Sequence, residues 1–182
     1  LVLSAKKEKV RFSVRHFFVI FAGAMTLILT GSPTRYGEDH ITGDNGLLAE
    51  VKSALPQRPR VLLVSAAPDD RGFTDYVLES MTECIRRSGI EPVGVTMLDR
   101  RNADRAPALV RAADWIVMCG GHVPTQNRFI HEIRLKGLLK GFDGLVMGCS
   151  AGSMNCAVRV YSHPELPGEA VDPSYPRWLE GL

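Results

Sequence analysis

The sequence predicts an α/β fold, a three-layer α/β/α sandwich with a mostly parallel sheet. Three observations lead there. Short apolar or β-branched runs recur at 26–30, 60–66, 93–98, 115–119 and 144–148, each the length of a buried strand. Segments with apolar residues at helical spacing separate most of them, and strand–helix alternation is the pattern of a parallel sheet covered on both faces. The last run breaks into Gly148-Cys149-Ser150-Ala151-Gly152 and then resumes as a helix-compatible stretch. Strand, sharp turn and helix is the setting that makes Gly-x-Ser-x-Gly a nucleophile elbow.

Composition fits one such domain. A chain of 182 residues with 45% apolar and 23% charged residues can bury a core. The net charge of +2 gives no reason to expect a nucleic-acid partner, and Lys6, Lys7, Lys9, Arg11 and Arg15 gather near the start. Cys84, Cys119, Cys149 and Cys156 form no CxxC pair and no zinc spacing. They read as reduced core thiols of a cytoplasmic protein, with no metal and no cofactor expected.

Residues 1–24 read as an extension outside the domain, which then spans 25–182. The extension is a basic stretch followed by Phe17-Phe18-Val19-Ile20-Phe21, and Ala22-Gly23-Ala24 mimics a cleavage site. The apolar run is shorter than the ~7–15 residues of a signal peptide and the ~20 of a membrane span. An upstream extension or start-site artefact is preferred over a signal or anchor, and no membrane partner is expected.

Taken in order, 26–30 is the first strand, ended by Gly31-Ser32-Pro33-Thr34. Asp44 or Asn45 caps a helix running to about Leu55, with Leu47, Leu48, Val51 and Leu55 on one face. Residues 60–66 form the second strand. Asp69, Asp70 and Thr74 begin a longer helix carrying Val77, Met81, Cys84 and Ile85 inward, and Gly89 stops it. A strand at 93–98, a short helix at 106–112 and a strand at 115–119 follow. Thr125 or Asn127 starts a helix to about Lys140, and 144–148 is the fifth strand. Beyond Ala157 the prolines and glycine of His163-Pro164-Glu165-Leu166-Pro167-Gly168 predict an irregular surface loop.

Sites in such sheets gather beyond the carboxyl ends of the strands. Two of these ends carry chemistry. At the elbow, the turn lifts Ser150 out of the strand and sets it near the positive end of the next helix. After the 115–119 strand comes Gly120-Gly121-His122, where paired glycines let backbone N–H groups face a ligand. An acyl-transfer site would use Ser150 as nucleophile, with the Ala151 and Gly121 N–H groups as the oxyanion hole. A serine also needs a base. His16 lies outside the domain, His40 in a polar loop and His131 on an exposed helix face. His122 is better placed to line the pocket, and His163 sits in the proline-rich loop. None is a convincing base.

Together these residues resemble the dipeptidase E / cyanophycinase family of serine peptidases. The elbow Gly148-Cys149-Ser150-Ala151-Gly152-Ser153-Met154-Asn155 is similar to that family's Gly-x-Ser-Ala-Gly-x-Asn pattern. Gly120-Gly121-His122, with Gln126-Asn127, is similar to its glycine-rich loop, His122 replacing the usual Asn. The resemblance implies a glutamine amidotransferase-like fold and hydrolysis of small, often aspartyl, peptides through an acyl-enzyme. It implies Glu165 as the carboxylate of the relay, and Gly120, His122 and Asn127 as substrate-binding residues. It places the base histidine in a Pro-His context, which does not occur in this chain. The base is therefore expected beyond Leu182, in a C-terminally truncated domain. The alternatives are an α/β-hydrolase-type esterase, a glutamine amidotransferase relative, whose elbow would carry a cysteine, or a non-catalytic ligand-binding domain of the same fold. The preferred dipeptide is open, and so is whether the protein is a homodimer.

Overall fold

A computed structural model of the chain describes residues 10–12, 17–22 and 25–182. Its main sheet takes β1 (Val10–Phe12), β2 (Phe17–Ala22), β3 (Met25–Thr30), β4 (Arg60–Val64), β5 (Gly94–Leu98), β6 (Trp115–Met118) and β7 (Leu145–Cys149) in the order β1-β2-β3-β7-β6-β4-β5. The neighbours from β3 to β5 are all parallel, while β1 and β2 add an antiparallel edge. The helices are α1 (Leu47–Ser53), α2 (Arg71–Arg87), α3 (Ala106–Ala112), α4 (Val123–Glu132), α5 (Leu135–Leu138) and α6 (Ala151–Asn155).

The period of two along each strand divides the core into two layers. Val61, Leu63, Val117 and Met147 turn one way, to meet Val51 of α1 and Ile85 of α2. Leu62, Val64, Ile116 and Val146 turn the other way, to meet Val110 of α3, Phe129 of α4 and Leu135 of α5. Helices on both faces make the predicted three-layer sandwich.

Several details differ from the sequence reading. Residues 17–22 were expected outside the domain. They pair with β3 from Phe17↔Thr30 to Ala22↔Met25 instead, and Val19 is buried in the same layer as Ile28. A strand there supplies hydrogen-bond partners to β3, which would otherwise be an edge. The boundary at Met25 thus falls between two paired strands.

Asp70 caps α2 as anticipated, its carboxylate accepting from the Phe73 N–H at 3.0 Å. A 3-10 turn at Arg100–Arg105, capped reciprocally by Asp99 and Asn102, precedes α3 and has no periodic signal in the sequence. The helix predicted to run to Lys140 divides at Arg134, whose φ of 54° ends α4 before α5 begins. It also starts earlier, with Pro124 tolerated in the first turn. Part of the stretch beyond Ala157 is regular: β8 (Arg159–Tyr161) and β9 (Trp178–Glu180) form an antiparallel pair. Among the described residues no helix is long and apolar enough to cross a membrane.

Candidate active site

The elbow forms where β7 leaves the sheet. Ser150 has φ 51° and ψ −116°, a region that L-residues seldom occupy and that costs on the order of 1–3 kcal/mol. Its surroundings hold it there. The Ser150 N–H donates to Thr30 O at 2.9 Å, and Met154 N–H donates to Ser150 O at 3.2 Å. Ser153 clamps the same strand end, donating to Thr30 O at 2.7 Å and accepting from Thr30 N–H at 3.1 Å.

Close approach fixes the two glycines of the motif. A Cβ on Gly152 would stand 2.0 Å from Met118 O, and one on Gly148 would stand 2.7 Å from the Ser153 Cα. Only glycine lets α6 fold back so tightly over β6 and β7. Ser150 is left exposed between buried Cys149 and buried Ala151. Since α6 has only five residues, its dipole adds little beyond the Ala151 N–H itself.

The parallel register then brings the glycine pair alongside. Met118 is level with Gly148, so Gly120 comes level with Ser150. A Cβ on Gly120 would lie 3.3 Å from Ser150 Cβ. Gly121 adopts φ 147°, and a Cβ there would meet Ala66 Cβ at 2.7 Å. Among the described residues, the N–H groups of Gly121 and Ala151 have no acceptor in the chain. Two free donors flank an exposed serine.

The cysteine rival is weakened by the same geometry. Cys149 points into the core layer beside Met147, and burial pushes its thiol well above the ordinary range. Burial also lifts Cys119 and Cys156 to about 12 and Cys84 to about 11. None is poised as a thiolate nucleophile at neutral pH.

An open cavity of about 280 Å³ adjoins Ser150 and Gly120. Residues 31–33, after β3, form one wall, and Tyr76, Val77, Ser80 and Met81 of α2 form another. Sequence reading had missed these contributors. The residues at 31–33 could have been found from their place at a strand end. Of the four of α2, Val77 and Met81 had been placed on its periodic apolar face, and Tyr76 and Ser80 had not been singled out.

Two expected substrate contacts have other partners. Asn127 is 5% exposed, and its amide N–H groups donate to Asn155 Oδ1 at 3.0 Å and Glu180 O at 2.8 Å. Asn155 in turn donates to Gln126 Oε1 at 3.0 Å and Val123 O at 3.2 Å. The two residues are parts of a buried amide network tying α4, α6 and β9 together. His122 places Nδ1 2.8 Å from Thr125 Oγ1 and Nε2 2.9 Å from Glu169 Oε1, the latter short of an aligned hydrogen bond. The two ring nitrogens face Thr125 and Glu169, and no contact joins either of them to Ser150 among the described residues.

Glu169 is the acid that sequence reading missed. Burial raises its carboxyl, but the amides of Leu166 and Glu165 and the His122 imidazole outweigh that and hold it below its ordinary value. Both amides donate to Oε2 at 2.9 Å. Glu165, expected in the relay, is exposed and has no ion pair with a histidine among the described residues. A Glu four residues on in a Pro-Gly loop was visible in the sequence, but nothing there linked it to His122. His131 Nε2 lies 2.7 Å from Glu180 O, and His163 is exposed.

Neither a family model nor a curated protein matches the chain. Solved structures do. A protein assigned as peptidase E from Listeria monocytogenes EGD-e matches with a TM-score of 0.55 and 22% identity, over 74% of this chain and 62% of its own. A peptidase from an acI-B1 Actinobacterium matches with a TM-score of 0.58 and 23% identity, over 85% of this chain and 62% of its own. The chain therefore shares the α/β fold of these peptidases and spans less than two thirds of their length.

Proposed function

We propose that this chain carries the nucleophile half of a serine peptidase of the dipeptidase E / cyanophycinase kind. The observation that carries the reading is Ser150 itself, an exposed serine held at φ 51° against Gly120 at the strand ends. The shared fold of two solved peptidases supports it.

In this reading Ser150 Oγ bonds to the scissile carbonyl carbon of a small peptide, and its proton passes to a base. The carbonyl oxygen becomes an oxyanion, accepting from the Ala151 and Gly121 N–H groups, whose placement requires no reorganisation during the reaction. The C–N bond then breaks and the amine leaves with a proton. Water attacks the ester, releasing the acid and restoring Ser150. Gly120 and His122 border the substrate, while Asn127 braces the helix beneath them. Glu165 is the relay carboxylate of this scheme. The Glu169 contacts to its amide and to His122 fix the loop that carries it. The base is proposed to come from outside residues 1–182, since each histidine of the domain is occupied, remote or in the exposed loop.

A fluorophosphonate probe tests the assignment on the full-length protein. Labelling is expected at Ser150 and abolished by Ser150→Ala. Labelling that survives the substitution overturns the nucleophile. Release of an amino acid from small peptides, against hydrolysis of a p-nitrophenyl ester, separates a peptidase from an esterase.

A further inference from the structure

We propose that Glu169 is a positioning residue of the reaction: through His122 it holds the Gly120-Gly121 loop so that the Gly121 N–H faces the oxyanion. The inference rests on Ser150 being the nucleophile and adds the contact that sets one of its two oxyanion donors.

Gly120 and Gly121 span the gap between the end of β6 and the start of α4. On the strand side the chain is held firmly. Cys119 N–H donates to Val64 O at 3.0 Å, and the Gln126 side chain donates to Cys119 O at 2.8 Å. On the helix side His122 O accepts from Gln126 N–H at 3.1 Å, which joins His122 to the first turn of α4. Glycine has the widest backbone freedom of any residue. The direction of the Gly121 N–H therefore depends on how firmly both ends of the pair are held.

The side chain of His122 supplies the rest of the hold at the helix end. Its Nδ1 lies 2.8 Å from Thr125 Oγ1, within its own turn. Its Nε2 lies 2.9 Å from Glu169 Oε1, which comes from a distant segment, and both side chains are only 17% exposed. The other oxygen, Oε2, accepts from the Glu165 and Leu166 N–H groups at 2.9 Å. One carboxylate thus joins the loop of the relay acid to the loop of the oxyanion donor. Both of its oxygens must be acceptors. A glutamine offers one acceptor and one NH₂, so it gives up either the imidazole or the two amides. The geometry is demanding, because an oxyanion donor works at about 2.7–3.1 Å and a displacement of about 1 Å costs on the order of 10²-fold in rate.

The test is the rate of fluorophosphonate labelling in the full-length protein, where Ser150 Oγ bonds to phosphorus, fluoride leaves and the phosphoryl oxygen takes the place of the oxyanion. Glu169→Gln is expected to lower the maximal labelling rate about tenfold or more, with the half-saturating probe concentration within about threefold, since the donor acts in the transition state. His122→Ala closes a double-mutant cycle. In that background Glu169→Gln should cost less than about twofold, because the path is already cut. An unchanged maximal rate, or the same loss in both backgrounds, overturns the proposal, and Glu169 then acts only on the loop that carries Glu165. The backbone amide resonance of Gly121 gives a second readout that needs no catalysis. It should shift in Glu169→Gln while those of Val95 and Thr96, on β5, stay fixed. If no probe labels Ser150 in the wild type, the nucleophile reading fails and this resonance decides the positioning alone. A shift sustains it, and an unmoved Gly121 amide overturns it.

Discussion

The turn at Ser150 and the loop carrying Glu165 both lack long regular structure, yet they are held by different means. Around Ser150 the constraints are mainly backbone: Thr30 O on the serine's own N–H, and Met118 O against Gly152. The Ser153 hydroxyl adds two further bonds. Around Glu165 an exposed segment is held mainly by side chains, the Glu169 carboxylate with His122 and the Tyr175 hydroxyl on His163 O, beside one backbone turn from Glu169 N–H to Leu166 O. A strained nucleophile must be over-determined to persist. A surface loop needs only enough contacts to choose one conformation, and a single side chain can release it.

That contrast can be broken from either side. The largest effect is expected for Gly152→Ala. The new methyl group would meet a carbonyl oxygen in the centre of the sheet, which neither partner can yield. Destabilisation of about 3 kcal/mol or more is expected, measured by urea unfolding. A change below about 1 kcal/mol would show that the elbow is looser than the strand ends suggest.

Asn155→Leu comes next. It leaves Asn127 without one acceptor and Gln126 and Val123 each without a donor, in a region that excludes water. A loss of at least about 2 kcal/mol is expected from orphaned buried groups. The unfolding midpoint should fall with little change in the slope of the transition. An unchanged midpoint would mean that the amide network does not brace α6.

The smallest effect on global stability is expected for Glu169→Gln, with its consequence confined to the loop. Cleavage within 163–176 by a broad-specificity protease should quicken several-fold at pH 7, while the unfolding midpoint stays nearly fixed. The pH dependence has a definite sign. The Glu169 carboxyl is lowered in the folded state, so its contribution is complete above the ordinary carboxylate range and is lost as pH falls through the lowered value. The wild-type loop should become protease-sensitive only below about pH 4.3, the ordinary glutamate value. Equal sensitivity of both proteins at pH 7 would show that Glu169 does not hold the loop.

The elbow was legible because its demands are local. Gly148 and Gly152 stand where no Cβ fits, and the apolar run before them is long enough for one buried strand. The same is true of Asp70 and Gly89 at the ends of α2. The partners of Asn127 were not foreseen because its place in a glycine-rich loop pattern says nothing about which way its amide points. The helix break at Arg134 has no glycine or proline to announce it. The joining of 17–22 to the sheet depends on partner strands, and the sequence shows only that the run is apolar.

By itself the sequence determined the alternating α/β architecture, the strands that end in glycine, and Ser150 as the residue lifted from the strand end. Periodicity, steric exclusion at glycine and helix capping act over a few residues, so they can be read along a line. The tertiary structure alone decided that Gly120 stands level with Ser150, that Glu169 rather than Glu165 meets His122, and that α2 walls a cavity beside Ser150. Those facts depend on strand register and on side chains brought together from distant segments, and no local pattern encodes them.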